Sequence, residues 1–145
     1  MKSLLMLWQF WALLSAAFAA LTAIFAKIGV ENVNSDFATF VRTVVILFTL
    51  IAMLTITRAW QAPGTVFPRS WIFLVLSGLA TGASWLCYFR ALKIGDAAKV
   101  APIDKLSGVM VAVVATIFLG ERLSLANWLG VMLIAAGAVL VAYKG

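Results

Sequence analysis

The chain has 145 residues, of which 65% are hydrophobic and 11% charged, with a net charge of +6. Water-soluble domains are roughly half apolar and about one quarter charged, so this composition excludes one and points to a lipid environment. With no histidine and a single cysteine, Cys87, the chain holds neither an internal disulfide nor a metal cluster, and basic groups set between apolar runs meet lipid headgroups rather than nucleic acid.

The length fits a single domain. Its opening, Lys2 followed by a leucine-rich run and Ala17-Phe18-Ala19, imitates a secretory signal. The apolar run nevertheless continues to Ala26, too long for a signal, and four more such runs follow. Leu4–Ala26 is therefore expected to be a first transmembrane helix, since a hydrocarbon core of ~30 Å requires about 20 residues. Trp8 and Trp11 suit the membrane interface. Ala12, Ala16 and Ala20, with Ala19 and Ala23 alongside, form a face of small residues that lets another helix approach.

Lys27–Asp36 reads as a short polar connection, with Ser35 or Asp36 as the N-cap of the next helix. The second span is placed at Phe37–Thr57, apolar apart from its threonines and Arg42. Arg42 lies more than a turn inside. Two readings stay open for it: snorkelling to the interface and a place in a polar pathway.

Pro63-Gly64 and Pro68 mark a turn region before the third span, Trp71–Leu92. Gly78 and Gly82 give a GxxxG spacing that permits close helix contact. Ser77, Thr81, Ser84 and Tyr88 follow at i, i+4, i+7 and i+11, so they share one helical face. That stripe lines either a helix contact or an aqueous cavity, and Trp85 lies one residue off it. Cys87, in the same apolar run, is expected to be an inert packed thiol.

The fourth span, Ala97–Gly120, carries Pro102 and then Asp104, Lys105 and Ser107. Ionisable groups inside a span are costly and default to functional hypotheses. The alternative is a buried ion pair that fixes the packing of the second and fourth spans. Pro102 falls in the first turns, where its missing N–H is tolerated, so no broken helix is required. The turn Gly120–Ser124 leads to a fifth span, Leu125–Tyr143, with Trp128 and Tyr143 near its ends and Gly130 and Gly137 on one close-packing face.

From Tyr88 onward the chain resembles the C-terminal part of an EamA domain of the drug/metabolite transporter superfamily. The residues that carry the likeness are Tyr88-Phe-Arg-Ala-Leu, Ala101-Pro-Ile-Asp-Lys-Leu-Ser, Leu119-Gly-Glu-Arg-Leu, Trp128-Leu-Gly-Val and Ala136-Gly-Ala-Val-Leu. The first two spans match in hydropathy, Arg42 and connection lengths. Most relatives have ten spans in two such domains, whereas this chain is similar to the short five-span bacterial and archaeal members. The resemblance implies an all-α membrane protein, half of an inverted-repeat transporter fold, and a small-metabolite transporter with two five-span units around a central cavity. It also implies a multi-pass protein of the prokaryotic inner membrane. The small multidrug-resistance relatives use a glutamate in their first span; Leu4–Ala26 contains no acid, and Asp104 is the one carboxylate in any span drawn here.

Charge placement adds an argument independent of family. Five spans put the two termini on opposite sides. Lys2, Arg58, Arg69 and Arg122 fall on one side, and Lys27, Arg90, Lys93, Lys99 and Lys144 on the other. A near-even balance gives the positive-inside rule nothing to act on, so the chain is expected to insert both ways and pair as an antiparallel homodimer. On the second side Asp104 has Arg42 or Lys105 as possible partners. The leading expectation is thus a transporter of small molecules that works by alternating access, with Asp104, Lys105, Arg42, Tyr88, Ser84, Thr81, Ser77, Trp85 and Ser107 along the pathway. The other class is a non-transporting membrane subunit of a larger complex. No nucleophile–base pair, phosphate loop or metal cluster marks an enzyme, and no cofactor is called for.

Overall fold

The computed structural model describes residues 7–143. The start of the Leu4–Ala26 span, Lys2 and Lys144 lie outside the described residues. Six helices follow in order: α1 Trp8–Val30, α2 Ser35–Thr57, α3 Pro68–Ile94, α4 Ala97–Asp104, α5 Leu106–Val114 and α6 Leu125–Ala142. A 3-10 turn at Pro63–Thr65 sits between α2 and α3, and a π-helical stretch, Ala115–Leu119, prolongs α5. No strand occurs among the described residues. Five segments are long and apolar enough to cross a membrane: α1, α2, α3, Ala97–Leu119 and α6. Helices are the expected outcome in lipid, where each backbone N–H and C=O must find its partner within the segment.

The same logic disposes of the hydroxyls in α2. Thr39, Thr43, Thr49, Thr55 and Thr57 each donate to the carbonyl four residues earlier, at 2.8–2.9 Å. Bonded back to their own helix, they leave no unsatisfied hydroxyl, whether exposed or, as Thr39 is, buried.

Several boundaries differ from those expected. The connection placed at Lys27–Asp36 shrinks, because α1 runs on to Val30 and α2 starts at Ser35. Lys27 remains helical because its ammonium finds a partner at the helix end rather than in a loop, donating to the Leu92 carbonyl at 2.7 Å. The N-cap of α2 is Asn34, not Ser35 or Asp36; its side-chain oxygen accepts from the Asp36 and Phe37 N–H groups. Asp36 therefore belongs to the helix that spans, and Asp104 is not the one carboxylate in a spanning segment. Helix α3 reaches past the expected Trp71–Leu92 at both ends, with Pro68 in its first position, where no N–H is needed. The fourth span is interrupted: Lys105 closes α4 with φ −70° and ψ −8°, and α5 restarts at Leu106.

The chain divides into two compact units, Phe25–Lys93 and the combination of Met1–Ile24 with Ile94–Gly145. In the first, Val30, Phe89 and Leu92 are almost wholly buried, beside Ala26, Ser35 and Thr39. These residues come from the end of α1, the start of α2 and the end of α3, so one end of this unit is its tight core. In the second unit, α4 and α5 both pack on α6. The buried side chains there, Ala115 and Ala138, are small, as close helix packing in a membrane requires. Gly120 ends the π-helical stretch in the left-handed region, φ +68°, and Ser124 caps α6 through its hydroxyl.

Most large apolar side chains point outward, as expected of a chain solvated by lipid. Ala16 and Ala20 are exposed too. A Cβ added at Gly78, Gly82, Gly130 or Gly137 meets no neighbouring group within 4 Å. Cys87, expected to be packed, is exposed, because α3 turns that face away from its unit.

Candidate functional site

Arg42 is carried by α2, seven residues after Ser35, which places it about 10 Å along the helix from its start at 1.5 Å per residue. Its guanidinium carbon lies 4.1 Å from the centre of the Trp85 ring and 5.5 Å from that of Phe89. Both rings belong to α3, four residues apart and so on one face of that helix. Trp85 and Tyr88 are half-buried, and Phe89 is buried. A cation so placed over a ring face is attracted by the ring quadrupole, more strongly where water is excluded. Arg42 is thus folded onto a neighbouring helix of its own unit.

The polar stripe on α3 is mixed. Ser77, Thr81 and Ser84 are exposed, and the Thr81 hydroxyl already donates to the Ser77 carbonyl at 2.8 Å. Ser84 adjoins Trp85 and Tyr88 adjoins Phe89 in sequence, and of the four stripe residues Tyr88 is the half-buried one.

In the other unit, Lys105 Nζ donates to Asp104 Oδ2 at 3.3 Å, so the acid takes the second of its two expected partners. The pair is not buried: 61% of the lysine side chain and 35% of the aspartate side chain are exposed. A buried clamp is therefore not what it forms. It sits where α4 stops and α5 begins, and Ser107, in the first turn of α5, is exposed beside it. At the break the Lys105 N–H still donates to the Ala101 carbonyl at 3.3 Å and its carbonyl accepts from the Gly108 N–H at 3.0 Å, so the irregularity is local.

Sequence reasoning missed a third set of polar residues. Arg90 donates from Nε to Asp36 Oδ1 at 3.1 Å and from Nη2 to Oδ2 at 2.8 Å. Lys93 donates to the Val33 carbonyl at 2.7 Å, and Lys27 to Leu92. Together they tie the end of α3 to the α1–α2 connection. One signal was available: Arg90 and Lys93 are three apart and so neighbours on one helix face.

The comparisons with known proteins agree with this architecture. The profile of the EamA-like transporter family matches residues 6–143. A Sinorhizobium protein described as "Uncharacterized transporter in cobO 3'region" is 68% identical over 135 residues, covering 93% of this chain and 96% of its own length. The Bacillus subtilis protein "Uncharacterized transporter YxxF" is 30% identical over 131 residues, which are 90% of this chain but 40% of that protein. No solved structure matches the chain. Five segments of spanning length make this an integral, multi-pass membrane protein. Matched along nearly all of its length, the chain belongs to the EamA-like transporter family.

Proposed function

We propose that the chain carries small molecules across the membrane as an antiparallel homodimer, by alternating access. Membership in a transporter family and relatives that bear the name of transporter support the coarser statement, movement of a solute. The observation that carries the finer one is the four-against-five division of basic residues between the two sides of a five-span chain. Orientation follows that division, and a near-even one leaves both orientations accessible.

Two further observations support pairing. The glycines of α3 and α6 meet nothing close within the single chain, and their spacing suits helix contact with a second copy. The Bacillus relative, of which the matched stretch is 40%, is long enough to hold two such stretches in one chain. Arg42, Trp85, Tyr88, Ser77, Thr81 and Ser84 in one unit, and Asp104, Lys105 and Ser107 in the other, are the residues assigned to the substrate pathway.

The test is topological. A reporter fused after Gly145 is expected to report from both sides of the membrane, and two or three lysines added to one side should shift the ratio. A single orientation in the unaltered chain would overturn the antiparallel pair.

A further inference from the structure

Arg42 is a full positive charge placed about 10 Å inside a spanning helix, and its environment supplies rings where a carboxylate would be expected. In its unit, the ion pair found among the described residues is Asp36 with Arg90, which uses both oxygens of that acid. The Arg42 guanidinium rests instead on Trp85 and Phe89. The rings meet the guanidinium as a cation, and among the described residues no carboxylate pairs with its N–H fork, the group that matches a carboxylate with two parallel hydrogen bonds. A charge in a span is costly until an opposite charge reaches it, and a guanidinium already held against two rings loses little freedom when that happens.

The geometry points to the Arg42–Trp85–Phe89 cluster as a binding site for a monoanionic organic carboxylate. This rests on the transport reading above and names its substrate class. One guanidinium compensates one negative charge, so a dianion would leave charge unmatched inside the span. The aromatic surroundings accept an apolar body attached to the carboxylate, which a small inorganic anion does not provide.

The full-length protein in lipid nanodiscs is titrated with benzoate, benzylammonium, benzyl alcohol and inorganic phosphate, and the heat of binding is read. Benzoate is expected to bind about tenfold or more tightly than the other three. Arg42→Gln is expected to lose about tenfold or more for benzoate, with the charge-assisted pair removed. Arg42→Lys should fall between, since it keeps the charge without the fork. Equal binding of benzoate and benzylammonium, tighter binding of phosphate, or unchanged benzoate binding by Arg42→Gln would each overturn the assignment. Should Arg42→Gln fail to insert, Trp85→Ala, which removes the platform, is expected to weaken benzoate binding, and no change would overturn the assignment. Benzoate that binds but is not carried across vesicle membranes would sink the transport reading and leave the site standing. Carriage of other solutes by a protein that does not bind benzoate would do the reverse.

Discussion

Arg90 meets Asp36 with both of its forward nitrogens on both carboxylate oxygens, at 3.1 and 2.8 Å, across 54 positions of sequence. The pair joins the last turns of α3 to the first turn of α2. Both side chains are about half exposed, 62% and 46%, so the attraction is screened by solvent and salt. Asp36→Asn and Arg90→Gln should each lower the melting temperature only slightly in low salt. Their double variant should be no worse than the more affected single one. Raising the salt should erase the difference; a large, salt-independent loss would mean that the pair does more than join two helix ends.

Beneath that pair, Leu92 is fully buried and its carbonyl accepts from Lys27 at 2.7 Å. Carbonyls of a last helical turn lack intrahelical partners. Leu92→Ala is expected to cost about 2–5 kcal/mol through the cavity it leaves. Lys27→Met removes a charged donor and should cost about 1.5–3 kcal/mol. Thermal unfolding in one detergent measures both. Lys27→Met matching the parent protein would show that the carbonyl finds another donor.

Gly120 adopts φ +68° where the fourth span ends, and its N–H bonds to the Ala115 carbonyl. A side chain at that position meets no obstacle in space, so the cost is purely that of the backbone conformation. Gly120→Ala should destabilise by about 1–2 kcal/mol, whereas Gly29→Ala, in the regular helix α1 with open space around it, should stabilise slightly. Melting temperatures that move together would contradict this reading of the turn.

What the sequence made legible, and what it hid, follows from the range of each signal. Hydropathy is local, and it located five spans without error of number. Helices were drawn too short because Lys27, Asp36 and Lys93 look like loop residues until their partners are known. Those partners lie 54 to 65 positions away for Arg90, Lys93 and Lys27. Pro102, expected to be harmless in the first turns, is the sixth residue of α4, where its missing N–H leaves the Ala98 carbonyl without the usual i−4 donor, and the helix is interrupted three residues on at Lys105. Arg42 was marked by its depth alone. Its stack on Trp85 depends on how two helices are rotated against each other, which spacing within either helix does not encode.

Asp104, paired with Lys105 and partly exposed at the break between α4 and α5, has a simple test. Asp104→Asn keeps the shape and removes the charge. Transport by reconstituted vesicles is expected to fall about tenfold or more, the loss of a charge-assisted contact to a passing solute. Insertion and melting temperature should barely change, since the pair is not buried. Normal transport by this variant would remove Asp104 from the pathway.

The antiparallel pair is tested most directly by joining two copies in one chain. With five spans each, a short linker from the end of the first copy to the start of the second forces opposite orientations. One extra transmembrane helix in the linker forces the same orientation instead. Both fusions are reconstituted, in a background where neither can be supplemented by free single copies, and uptake is measured for any solute carried by the unfused protein. The short-linker fusion is expected to transport at a rate near that of the unfused protein, and the extra-helix fusion to be inactive. Transport by the extra-helix fusion, with none by the short-linker one, would contradict the antiparallel unit.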